Sequence, residues 1–193
     1  MTARAPWPWA TTVLVVAHVA VYFATGTTAD YSQSGIADGE DPPLPSIGQL
    51  TFDVFRHPST AAMIVTLAFL VPVAIALERA LNAVAAGATY VVSGFSAGLV
   101  ELIAPVEPLV VVGAFGATTG LLAMWLVTHW RLHRDAALPA AIVLGWFLLN
   151  EHARTAGIPW PGTVAATVVG LYAVGVLPPS RTAVRDTPPA GRG

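Results

Sequence analysis

The sequence predicts an all-α, polytopic membrane protein built as a bundle of six transmembrane helices. Three observations predict it. Of 193 residues, 55% are hydrophobic and only 10% charged, whereas a soluble domain carries roughly 25% charged residues. Six apolar stretches follow one another with polar connections between them. The arginines and the carboxylates then sort onto opposite sides of the layer those stretches define.

The apolar stretches are Trp9–Thr25, Thr60–Leu77, Leu81–Ala104, Leu109–Thr128, Ala136–Leu149 and Gly162–Leu177. About 20 residues cross a bilayer, so the last two must borrow flanking residues such as Trp160. Each is expected to be helical, because unpaired backbone is costly in hydrocarbon. Pro72, inside the second stretch, removes a backbone donor and should kink it. The reading gives one membrane domain over residues 1–177, with an external loop at 26–58, and a disordered cytoplasmic tail at 178–193. The loop is rich in Gly, Ser, Asp and Pro, and its end, "IGQLTFDVF", is expected on the interface with Phe52 and Phe55 dipping into lipid. The Pro-rich tail lacks the apolar residues to fold.

With an even number of spans and both termini inside, Arg4, Arg79, Arg131, Arg134, Arg181, Arg185 and Arg192 are cytoplasmic, leaving only Arg56 and Arg154 outside. Asp30, Asp38, Glu40, Asp41, Asp53, Glu101, Glu107 and Glu151 lie on the outer face. A cleaved signal peptide is the competing reading of the start. His18 in its core and the absence of a small-x-small site speak against that. There is no Cys, hence no disulfide framework, thiolate metal site or Cys nucleophile. A net charge of −2 without lysine argues against nucleic acid as a partner.

Small residues recur at helical spacing in three spans. Gly113, Gly116 and Gly120 share one face of the fourth, Gly162, Ala166 and Gly170 one face of the sixth, and Gly87, Gly94 and Gly98 lie in the third. Such stripes let helix backbones touch where lipid removes any hydrophobic drive to associate. Phe115 stands between two of the glycines.

Around these faces, "FRHPSTAAMIVTLAFLVPVAIALE" (Phe55–Glu78) resembles the second span of the rhomboid intramembrane proteases, F-x-H-x-x-x-x-H-x-x-x-N with a closing Glu. "GAFGATTGLL" resembles that family's Gly-x-Ser-Gly segment, and "PGTVAATVVGLY" its Ala-His-x-x-Gly-x-x-x-Gly helix. The segments come in family order over roughly Gly48–Leu177. The resemblance implies a rhomboid-like six-helix bundle, but its chemical positions are occupied differently here. Phe115 stands in the place of the nucleophilic Ser and Thr163 in that of the base His. Ala62 and Thr66 replace the second-span His and Asn, and Gly48 and Gln49 the Trp-Arg of the first loop. Phe55, His57, Glu78, Gly113, Gly116, Gly120, Leu121 and Gly170 match the scaffold. Acyl transfer needs a nucleophile beside a base, with donors aimed at the oxyanion. Phenylalanine can neither attack nor donate.

The remaining polar residues offer no obvious replacement. His129 lies about 21 Å along a helix from Phe115 and reads, with His133, as a solvated interfacial anchor rather than a metal site. His57 reads as a structural loop or helix-start residue, and His152 as solvated. His18 is the buried case, a functional candidate by position. Its expected state is a neutral imidazole bonded to a neighbouring Thr, Ser or carbonyl, and a dyad with Thr118, Thr119 or Ser93 is the sharper alternative. Glu78 and Arg79 read as a helix-end cap or local ion pair, and Glu101 as a headgroup-zone residue.

The sequence-level conclusion is a rhomboid-like protein of the plasma membrane without the Ser/His dyad, with no cofactor or metal. It would bind transmembrane segments of partner proteins within the lipid bilayer. An active intramembrane serine protease with relocated residues is the alternative, and a small transporter or channel the second.

Overall fold

Polar caps and apolar runs together set where the helices start. A computed structural model describes residues 7–25, 51–103, 113–153 and 160–176. Within them lie α1 (Trp9–Thr25), α2 (Thr60–Ala80), α3 (Ala83–Ile103), α4 (Gly113–His133), α5 (Ala137–Ala153) and α6 (Trp160–Val176). Ser59 caps α2, its hydroxyl accepting from the Ala62 amide at 3.1 Å. Asn82 caps α3 by accepting from the Ala85 amide at 2.7 Å, and Asp135 caps α5 by accepting from Ala137 at 2.8 Å. In each case a side-chain oxygen takes up an amide that the first helical turn leaves unpaired.

α1 has the bounds expected from its apolar run. α2 continues through Pro72 to Ala80. α4 runs on past Thr128 to His133, carrying His129 and His133 on helix rather than beyond it. α6 begins at Trp160, the residue the short sixth stretch was expected to borrow. Residues 26–50 of the external loop, 109–112 of the fourth stretch and the 178–193 tail lie outside the described residues, as do Gly48 and Gln49. α2 and the Ala83–Glu101 part of α3 are long and apolar enough to cross a membrane. α1, the Ala137–Asn150 part of α5, and α6 are apolar but shorter.

The centre of the bundle is α4, where Gly113 through Trp125 are all buried. α3 and α6 pack on it, and on each other, more extensively than any other pair of helices. The small residues account for this closeness. A Cβ on Gly116 would strike Ala97 of α3, one on Gly120 would strike Ser93, and one on Gly170 would strike the Gly120 carbonyl. Ala166 is fully buried in the same seam. Gly87 differs from the expected pattern, since a Cβ there would make only ordinary contact with Ala10 at 3.8 Å. α5 is attached more lightly, through α2 and α4.

α1 is fixed at three levels. The Glu78 carboxylate at the end of α2 accepts from the Ala10 amide at 3.2 Å and from both the amide and hydroxyl of Thr11. It thereby caps the start of a different helix, a longer-range version of the local cap expected for it. Further along, His18 enters the core, and Tyr22 hydrogen-bonds Thr60 at 2.5 Å.

Candidate functional site

Two neighbouring regions of this bundle hold the residues with chemical interest. The first surrounds Phe115. Its position on the first turn of the central helix makes it 2% exposed. The ring stacks on Trp146 of α5, with centroids 5.1 Å apart and planes 16° apart, and meets Phe147 edge-on at 6.0 Å. Phe69 of α2 meets Trp146 edge-on, with ring centroids 5.5 Å apart. The indole Nε1–H donates to the Thr119 hydroxyl at 3.0 Å, and that hydroxyl donates to the Phe115 carbonyl at 2.8 Å. Asn150 holds the same turn of α5 by donating to the Trp146 carbonyl at 3.0 Å. Aromatic stacking and a satisfied indole donor make this a well-specified joint between α2, α4 and α5.

Thr163, Ala62 and Thr66 are also buried. The structure therefore places Phe115, Thr163, Ala62 and Thr66 inside the bundle, with the Phe115 ring turned toward α5 and away from acyl chains. A hydroxyl at residue 163 is far too weak a base to activate a nucleophile at neutral pH, and an alanine at 62 offers no donor. Next to Thr163, Gly162 accommodates the buried Glu101 carboxylate, whose Oε1 occupies the space a Cβ would need. Glu101 was expected among headgroups; the missing side chain at Gly162 instead lets it fold back against α6.

The second region is polar and was not anticipated as a unit. Residues 51–57 turn back into the bundle. Val54 is fully buried, wedged against Gly94 of α3 and Gly113 of α4, where a Cβ on either would fall 2.9 Å from it. Phe55 packs edge-on against His18 at 5.3 Å and beside Tyr90 at 5.9 Å, so it does not dip into lipid. Phe52, at 62% exposure, does face outward. Arg56 and Asp53 pair at 3.2 Å.

Beneath this segment, His57 Nε2 lies 2.8 Å from His18 Nδ1, and His18 Nε2 lies 2.6 Å from the Tyr90 hydroxyl, which donates to the Val54 carbonyl at 3.1 Å. The Phe55 carbonyl also lies 3.3 Å from His18 Nδ1, so both ring nitrogens of His18 are engaged, Nε2 by the Tyr90 phenol and Nδ1 by His57 and this carbonyl. Burial pushes the His57 imidazole down to about 3, with the neighbouring His18 ring adding to the effect. Thus His18 bonds neither Thr118, Thr119 nor Ser93; its partners are a histidine, a tyrosine and the Phe55 carbonyl, the last being the kind of partner expected for it. The only advance signal was an ionisable side chain in mid-span with a second histidine ahead of α2.

A model of the Rhomboid domain matches residues 44–179 of the chain. No curated protein and no solved structure matches it. The matched range takes in the 51–57 segment and α2 through α6, and leaves α1 outside.

Proposed function

Because this chain belongs to the rhomboid family, we propose that it is a membrane protein of that fold which holds transmembrane segments of partner proteins without cleaving them. The single observation that carries this reading is the Phe115 joint. Where the resemblance places a nucleophilic serine, the chain has a buried benzyl group stacked on Trp146, and the position of the base is Thr163. Peptide hydrolysis needs a nucleophile, a base and water together, and an aromatic stack leaves none of these at that spot. Scaffold features support retention of the architecture: the α3–α4–α6 seam is as tight as its small residues allow.

The lightly attached α5 supports a binding role, since a helix with few neighbours is the one a guest segment can displace at least cost. The arginine distribution supports cytoplasmic termini in a plasma membrane. The test replaces Phe69, at the α2–α5 joint, with photoreactive benzoylphenylalanine. The protein is reconstituted in lipid with a panel of single-span substrates. Crosslinked, uncleaved guests are expected. Cleavage that vanishes on substitution of one polar residue, or no crosslinking to any guest, overturns the proposal.

A further inference from the structure

The far end of α4 carries a feature that guest binding does not use. His129 and His133 stand one turn apart, and their ring centroids are 4.5 Å from each other with planes at 47°. Side chains at i and i+4 on one helix face are the spacing by which two imidazoles chelate one metal ion. The cations nearby are directed elsewhere. Arg131 donates to the Val174 carbonyl of α6 at 3.0 Å, and Arg134 lies over the Trp130 ring, 5.6 Å from its centroid. Arg134 adopts a left-handed backbone, φ 57°, which ends α4 and turns the chain to Asp135. That carboxylate, held as the cap of α5, is within electrostatic reach of His129. The arrangement thus offers two imidazoles and a nearby negative charge, with both arginines tied away.

We propose that His129 and His133 form a chelating site for a divalent transition-metal ion at the α4–α5 turn. No cluster of three or more His, Cys, Asp or Glu is assembled for a metal among the described residues, so the site supplies two nitrogen ligands and water completes the shell. Imidazole donors favour copper, nickel and zinc over magnesium or calcium, with copper bound tightest. Bound metal would stiffen the last turn of α4 and, through Asp135, the start of α5.

Trp125 gives the readout, because its ring lies 5.4 Å from that of His129. The full chain, without a polyhistidine tag and in lipid nanodiscs, is titrated with copper or nickel chloride while tryptophan emission is followed. Saturable quenching at micromolar metal is expected. His133→Gln and His129→Gln should each weaken it by roughly tenfold or more, as one of two chelating bonds is lost. His133 is exposed, so its substitution leaves the fold in place. Quenching that needs millimolar metal, or that survives both substitutions unchanged, overturns the site. Neither result bears on whether Phe69 crosslinks to guests.

Discussion

The Phe115 joint and the His18 chain are neighbouring parts of one helical core, yet they are built from opposite materials. At Phe115 four aromatic rings meet, and the hydrogen bonds present serve only to fix them. At His18 two imidazoles and a phenol are linked in series, and the chain ends on a backbone carbonyl of the 51–57 segment. Polar groups inside a membrane protein are costly unless satisfied and are commonly functional. Here the position matching the family's nucleophile carries an apolar ring, and the polar groups around it are hydroxyls such as Thr119 and Thr163. The imidazoles and the phenol are concentrated where a surface segment must be anchored to α1 and α3. The contrast teaches that this fold can be held by polar chemistry at one place and by aromatic packing around Phe115 at another.

The largest way to break the contrast is His18→Ala. It leaves a cavity and strands two buried partners, His57 and Tyr90. We expect a loss of about 3–5 kcal/mol, read as a lowered thermal midpoint in detergent together with faster proteolysis near residues 51–57. Phe115→Ala empties the other region. It should cost about 3 kcal/mol but leave the 51–57 segment as protected as before, because no bond of the His18 chain passes through Phe115.

Acid separates the two regions without any mutation. His57 stays neutral in the fold down to about pH 3, whereas in the unfolded chain it charges below about pH 6.5. The unfolded state therefore takes up the extra proton, and stability is complete above 6.5 and falls as pH drops toward 3. The expected loss by pH 5 is about 2 kcal/mol, measurable as a pH-dependent midpoint. His57→Gln should weaken that dependence, since the buried His18 imidazole still opposes charging in the fold, and Phe115→Ala should leave it intact. The smallest effect is expected from Trp146→Phe, which keeps the stack but removes the indole donor to Thr119, at about 1 kcal/mol.

Much of this was legible in the chain itself. α1 was bounded correctly by its apolar run, and the small residues Gly116, Gly120, Ala166 and Gly170 lie where their spacing put them. Their meaning is steric and local, so spacing suffices to read it. The 51–57 segment was misread because its neighbours in sequence are Gly, Asp and Pro, the residues of an exposed loop. What buries Val54 is a pair of hollows at Gly94 and Gly113 on two other helices, and what holds Phe55 is the His18 and Tyr90 rings, none of which a local pattern encodes. Glu101 was misplaced for a similar reason, since its burial depends on an absent side chain at Gly162. α4 shows the converse. As the most enclosed helix it faces protein rather than lipid, and so it tolerates Thr118, Thr119 and Thr128 in its interior.

The most direct test of the central claim is covalent labelling of the wild-type protein in lipid by a serine-reactive fluorophosphonate, compared with a heat-denatured control. A chain whose nucleophile position is occupied by the Phe115–Trp146 stack should show no labelling above that control. Specific labelling of any serine or threonine, abolished by substituting one histidine, would contradict the account.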